Sequence, residues 1–435
     1  MAQNPAQTSS GIKSFPRNYW TVIVMEFFER GSYYGVMSIL SVYLVLSTNE
    51  GGLGFSKESV GVIKSTIQPI LYILPIFAGA FADRFGYRIT LMFAFTVMSI
   101  GYFLTSMATS YVLVFLSLIF MVIGAGTFKP IISGTIARTT DESNSTLGFG
   151  IFYWTINLGA FLFPLILVPF LKDISWSYIF VMAAIGTGWL LILNIFVYKE
   201  PQRPASAKKV FDVLKGAVMV LGDFRFIIMI VIYSGFWILY FQMFDTVLWY
   251  LTDYVDMTPM NNFVNGFLGL FLSNPSWKFE AEHVTVINAG TIIVLQIFIS
   301  NIVKKTKALP TMITGIAIGT LGMAILAISN HAWIFMAGII IFSIGEMTAH
   351  PKFISYVGLI APEDKKALYL GYSFLYGFFG SLIGPLLGAN LYVHFVDKLH
   401  QPGTLWLIFS LIGVVTIIGL LLFNKFLAIK PRTSS

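Results

Sequence analysis

Cysteine is absent from the 435-residue chain, which excludes disulfides, thiolate metal sites and a cysteine nucleophile. Histidine is almost as scarce. His283, His331, His350, His394 and His400 are scattered and build neither a metal-ligand cluster nor a nucleophile–base motif, so a membrane-embedded enzyme is disfavoured. No nucleotide-binding loop appears and no cofactor is expected. Charge is sparse as well: 11% of residues are Asp, Glu, Lys or Arg, against about 25% in ordinary soluble domains. In place of charge stands apolar sequence, 57% of the chain. Stretches long enough to cross a bilayer, about 20 residues each, recur twelve times. They lie near 17–47, 58–83, 88–108, 111–137, 147–171, 176–198, 225–254, 282–303, 309–329, 332–360, 366–395 and 403–428. This predicts an all-α integral membrane protein with twelve transmembrane helices; a membrane β-barrel would show short alternating segments instead. A channel would need a filter loop, and none is evident.

The net charge of +7 has a topological explanation. With the N-terminus inside, inner segments collect Lys13, Arg17, Arg84, Arg88, Arg138, Lys199, Arg203, Lys208, Lys209, Lys430 and Arg432 among others, while outer ones hold Lys57, Lys172, Lys278 and Lys398. The positive-inside rule then places both termini in the cytoplasm and the chain in a cell membrane, plasma or bacterial inner. The basic balance is no sign of nucleic-acid binding. Residues 1–16 are polar and the first apolar stretch is long and charged, so no cleavable signal peptide is expected. The connection 200–223, with Pro201 and Pro204, divides the spans six and six, giving units 1–199 and 224–435. The outer loop from Asp256 to Glu280 is long enough for an interfacial helix. Tyr19, Trp20, Trp176, Trp249 and Trp333 near span ends fit an aromatic belt.

The first span carries Glu26, Glu29 and Arg30 at its centre. Each formal charge costs roughly 2.5–3.5 kcal/mol to insert. Spacings of three and four put all three on one helical face, which Tyr33 extends by a turn. Intramembrane charges so grouped pair with one another or face a polar pathway. Lys64 in the second span and Asp245 in the seventh lie at similar depths in opposite halves and are expected to pair as an outer gate.

Between the second and third spans stands Gly79-Ala-Phe-Ala-Asp83-Arg84-Phe-Gly86-Tyr-Arg88. It resembles the loop motif of the major facilitator superfamily, and implies that superfamily's two six-helix bundles with substrate between them. In physical terms Gly79 permits close helix contact, Gly86 a tight turn, and Asp83 with Arg84 and Arg88 a breakable ion pair. Four further segments are similar to the proton-coupled oligopeptide transporter family. They are Glu26-Phe-Phe-Glu29-Arg30-Gly-Ser-Tyr33-Tyr34-Gly35, Gly126-Thr-Phe128-Lys129-Pro130, Phe152-Tyr153-Trp-Thr-Ile156-Asn157-Leu-Gly159, and Gly345-Glu346 with Pro351.

That resemblance implies a symporter importing di- and tripeptides by alternating access, driven by protons and acting as a monomer. The residue chemistry agrees with a zwitterionic cargo. Arg30 and Lys129 offer a carboxylate a positive subsite, Arg30 through a bidentate fork. Glu346 meets an amine from the other half, and Asn157 has both donor and acceptor for a backbone amide. Tyr33, Tyr34 and Tyr153 present polar tips on apolar bodies. Glu26, Glu29 and Arg30 form the expected proton-coupling group, because two glutamates on one face favour a shared proton while the cations oppose it. The chain departs from the family at three places: Gly31 replaces a Phe, Phe241 a Glu, and Ser373 a common Trp. His350 and Lys352 around Pro351 are unusual, His350 being a candidate second titrating site. These departures keep open another small solute, such as an organic anion, an amino-acid derivative or a drug-like amphiphile.

Overall fold

The computed structural model describes Ile12 and residues 15–141, 144–201 and 210–428. Lys13, Arg203, Pro204, Lys208, Lys209, Lys430 and Arg432 lie outside the described residues. Nineteen α-helices are described: α1 Arg17–Met37, α2 Leu40–Val45, α3 Lys57–Phe85, α4 Tyr87–Met107, α5 Tyr111–Thr139, α6 Ser145–Leu162, α7 Val168–Ile174, α8 Ser177–Gly188, α9 Leu190–Phe196, α10 Val210–Leu221, α11 Phe224–Gln242, α12 Thr246–Tyr254, α13 Thr258–Leu268, α14 Glu282–Val303, α15 Ala308–Ile325, α16 Ala332–Ile360, α17 Lys366–Ser373, α18 Leu375–Tyr392 and α19 Pro402–Phe426.

Eleven helical stretches among the described residues are long and apolar enough to span a bilayer. Helix α1, 21 residues long, is the twelfth; its three central charges lower its hydropathy without shortening it. Several spans are composite, with α6 and α7 joined by a π-helical turn at Phe163–Leu167 and α18 extended by another at Val393–Lys398. The segment expected as a plain linker contains α10, which packs against α3, α11 and α17. The long loop likewise folds as α13, whose Phe263 and Phe267 are exposed.

Local chemistry sets the helix boundaries. Ser56 begins α3 by accepting the Ser59 amide at 3.2 Å, and Asp223 begins α11 by accepting that of Phe226 at 3.2 Å, relieving amides that no carbonyl can reach. Gly86 ends α3 at φ +102°, a backbone conformation that glycine adopts freely. Inside the spans, threonine hydroxyls return their bonds to carbonyls four residues back, as at Thr105, Thr135 and Thr320, so polar side chains enter apolar helices without orphaned donors.

Two breaks matter for function. The first span interrupts at Ile39 (φ −125°, ψ −13°), and the seventh interrupts at Asp245 (φ −135°, ψ −93°). Across the middle of the molecule α3 runs along α18, while α14 runs along α6 and its π turn. Hereafter the end carrying Arg17 and Phe426 is the terminal end and the opposite one the distal end.

The aromatic belt needs correction. Tyr19 is buried, stacks on Phe15 with ring centres 4.2 Å apart and donates to the Gly148 carbonyl at 2.8 Å. Trp249 is buried too, its indole N–H donating to Ser41 O at 2.9 Å. Trp20 and Trp333 are exposed. Position near a span end does not distinguish a lipid-facing ring from an inward one. That depends on which helix face is packed.

Candidate functional site

The α1 charges form a compact group. Arg30 grips Glu29 with two hydrogen bonds, Nε to Oε2 at 2.5 Å and a terminal nitrogen to Oε1 at 2.7 Å. Glu26 Oε1 lies 3.6 Å from the same Nε. All three side chains are buried. The guanidinium carbon stands 4.9 Å from the centre of the Tyr33 ring and 6.0 Å from that of Tyr34. Arg30 therefore has one edge fixed by Glu29 and a face against tyrosine, a geometry that a lysine ammonium cannot reproduce.

Lys129 comes from α5, one residue before Pro130. Among the described residues its Nζ has no hydrogen bond or ion pair; it sits 5.5 Å from the Tyr72 ring centre and interacts electrostatically with Arg30, Glu29 and Glu26. Arg30, Lys129, Tyr33 and Tyr34 line an enclosed cavity with Gln68, Tyr72, Tyr240, Phe241 and Phe244. Both halves of the chain contribute. The cavity holds about 50 Å³, room for one or two waters at about 30 Å³ each. In this conformation the cationic subsite is poised but too small for a peptide.

Glu346 faces the pathway from α16. It accepts a hydrogen bond from Asn288 at 3.1 Å and feels Tyr34, Tyr72, Tyr153 and Tyr240 electrostatically. Tyr153 does not line the enclosed cavity and is 43% exposed. Asn157 is less available than expected, since its amide donates to the Tyr153 carbonyl of its own helix at 3.0 Å. His350, one turn beyond Glu346, is boxed by Trp237, Phe353 and Tyr376, with Nδ1 3.4 Å from the Tyr233 hydroxyl. Lys352 Nζ donates to Thr306 O at 2.9 Å.

The structure brings Lys64 and Asp245 together across the halves. Lys64 Nζ donates to Asp245 Oδ1, to Phe244 O at 2.8 Å and to Ser41 Oγ at 2.8 Å. Lys64 is fully buried and Asp245 is 1% exposed. The two helix breaks explain this. One presents Ser41 at the start of α2; the other frees the Phe244 carbonyl and turns Asp245 inward.

The loop motif is arranged differently from its sequence reading. Asp83 pairs with Arg138 of α5 at 3.3 Å rather than with Arg84 or Arg88. Arg88 donates to the carbonyls of Asn194 (3.1 Å) and Ile195, tying α4 to the end of α9, and Arg84 lies over Phe85. Arg88, beyond the Gly86 turn, is engaged with these carbonyls and Arg84 with the neighbouring ring, which leaves Asp83 to Arg138. Gly79 is no contact point either: a Cβ there would meet nothing within 4 Å. Gly86 does make the expected turn.

Gly31 has a sharper explanation. A Cβ at this position would lie 2.4 Å from the Phe163 ring. Phe163 opens the π turn of the fifth span and packs edge-on against Phe27 and Phe28. The ring missing from the first span is supplied from the fifth. Phe241 fills the cavity wall beside Tyr72, ring centres 6.1 Å apart.

The sequence pattern of the Major Facilitator Superfamily matches residues 22–276 and 260–435, and the chain belongs to that superfamily. Several of the curated relatives are named di- and tripeptide transporters or permeases. The chain is 32% identical to an uncharacterized transporter, YclF, of Bacillus subtilis over 43% of its own length and 38% of that protein's. It is 30% identical to a di-/tripeptide transporter of Lactococcus lactis subsp. cremoris over 51% and 47%. It thus spans less than half the length of these curated relatives. Among solved structures, a POT family transporter in complex with 5-aminolevulinic acid superposes with a TM-score of 0.76 at 24% identity, covering 96% of this chain and 98% of that one. A POT family transporter with a thioalcohol conjugated peptide gives 0.75 at 24%, covering 96% and 97%. These structural likenesses carry the fold.

Proposed function

We propose that the protein is a proton-coupled symporter that imports di- and tripeptides by alternating access. What supports this reading is that Arg30 and Lys129, the latter without an ion pair among the described residues, face a tyrosine-lined cavity to which both halves contribute, while Glu346 stands outside that cavity on α16 of the other half. Widened toward Glu346 as the halves move, this arrangement offers a carboxylate and an amine separate partners and leaves the side chains between them to aromatic surfaces. Several relatives are named di- and tripeptide transporters, which supports the same cargo.

Glu26 and Glu29 share Arg30. A proton on either releases part of the guanidinium's charge toward Lys129 and the cargo, so loading with a proton and loading with a carboxylate favour each other. The terminal end is cytoplasmic in this scheme, and the protein acts as a monomer without a cofactor. Residues 1–199 and 224–435 rock as two bodies joined by 200–223. Lys64–Asp245 closes the distal side, and Asp83–Arg138 at the terminal end links α3 to α5 within the first body.

One observation favours a second reading. Phe241 lines the cavity where the family has a Glu, removing one anionic contact, and a neighbouring structure holds 5-aminolevulinic acid, which carries an amine and a carboxylate without a peptide bond. A small amino-acid derivative meets the same two charged ends.

Uptake into proteoliposomes decides between them. Labelled di- and tripeptides should accumulate under an inward proton gradient, and Glu29→Gln or Lys129→Ala should abolish accumulation. Folded, inserted protein that ignores peptides but moves amino-acid derivatives would establish the second reading.

A further inference from the structure

A second charged cluster lies far from the cavity, at the distal seam between the fifth and eighth spans. Lys172, at the end of α7, reaches across to Glu280 and Glu282, donating to Glu280 Oε2 and to Glu282 Oε1 at 2.6 Å. Lys172 is 10% exposed, Glu282 fully buried and Glu280 43% exposed. Around them stand Trp176, 5.6 Å from the ammonium, and His283, whose Nδ1 accepts the Glu280 amide at 3.0 Å. The titratable and charged groups facing Glu282 are Lys172 of the fifth span, Glu280 in the preceding loop and His283 beside it.

The charge count is unbalanced. One ammonium serves two carboxylates, and among the described residues the buried carboxylate keeps an oxygen, Glu282 Oε2, with no partner; His283 Nε2 has none there either. A buried anionic oxygen without a donor is costly, and a proton relieves it. We infer that Glu282 is a second proton-binding site, separate from the first-span glutamates, and that its protonation from the distal side releases the Lys172 clasp and lets the fifth and eighth spans part. The step is a simple acid–base one: water-borne H⁺ adds to the Glu282 carboxylate, its ion pair with Lys172 weakens to a contact between the ammonium and a neutral carboxyl, and the ammonium, still charged, stays with exposed Glu280.

This clasp sits on another side of the distal rim from Lys57, which bridges Asp253 (3.1 Å) and Asp397 (2.9 Å). The seam it closes is the one along which α14 packs on α6. Opening there therefore does not require the Lys57 links to break.

The absence of cysteine makes the test direct. Spin labels on Ile174→Cys and Leu270→Cys, both exposed, report the width of the distal seam without any cargo. Failure of the peptide reading therefore leaves the result interpretable. In the parent protein the seam should widen across a range from alkaline to acidic pH. In Glu282→Gln the wide population should be present at both ends of the range, and Glu280→Gln should keep the step. Lys172→Gln removes the clasp by its other partner and should match Glu282→Gln, so the test survives if one variant fails to fold. Infrared difference spectra on acidification should show a protonated-carboxyl band in the parent that Glu282→Gln lacks. A merely structural ion pair would open in the variant yet leave that band in place. A parent seam indifferent to pH, a Glu282→Gln variant that keeps the step, or a band unchanged by the substitution each overturns the proposal.

Discussion

Replacing Lys64 by methionine keeps most of the side-chain volume and removes an ammonium that holds three acceptors, Asp245 Oδ1, Phe244 O and Ser41 Oγ. Asp245 would then be a fully buried carboxylate whose other oxygen, Oδ2, already has no partner. Breaking a buried ion pair from one side costs about 3–5 kcal/mol. In the alternating-access scheme proposed above the pair joins the halves only while the distal side is shut, so the cost falls on that state alone. It shifts the closed-to-open ratio by roughly two to three and a half powers of ten. Removing both charges, as in Lys64→Met with Asp245→Leu, costs far less, because replacing both partners of a buried pair with apolar groups is often near neutral. Distances between spin labels at the distal ends of α3 and α12 should show each single variant mostly open and the double variant returned toward closed. Transport should follow: impaired in the singles, partly recovered in the double. A double variant as open as the singles, or singles as closed as the parent, would refute the assignment of the closing energy to this pair.

Other consequences are simpler. Gly31→Ala drives a methyl into the Phe163 ring and should lower thermal stability in detergent by about 1–3 kcal/mol; equal melting of Gly31→Ala and parent would show the ring free to move. Arg30→Lys keeps the charge but loses the two-point grip on Glu29, so proton-driven uptake should fall at least tenfold while the protein remains folded. Glu346→Gln should weaken uptake of substrates with a free amino end more than of N-acetylated ones; equal loss for both would place the amine elsewhere.

The twelve spans and the first-span charges are legible in the sequence because long apolar runs and charges inside them admit few alternatives. Lys64 and Asp245 are legible by depth alone: two charges equally far from the same face, on different halves, have a common plane to meet in. Their neighbours are not. Ser41 joins the pair because a helix breaks at Ile39, and Tyr72 and Tyr240 reach the cavity through the rotation of their helices, which no single stretch of sequence records. Asn288, the donor to Glu346, carries a weak signal as a lone polar residue in an apolar span. Asp83 misleads for the opposite reason: Arg84 and Arg88 invite a pairing, but their side chains go to the Phe85 ring and to the α9 carbonyls, and the partner, Arg138, arrives from another span. The Lys172 cluster depends on how the loop before α14 folds back, and local periodicity says nothing about that.

The Phe163 ring against Gly31 bears on how this chain can be recombined with its relatives. At that contact glycine on the first span leaves the space that the Phe163 ring fills from the π turn of the fifth. A chimera that takes the first span from a relative with Phe at the Gly31 position would place two rings in one space. Swapping the fifth span alone would leave a gap. The two helices are therefore expected to exchange best together, as one packed interface.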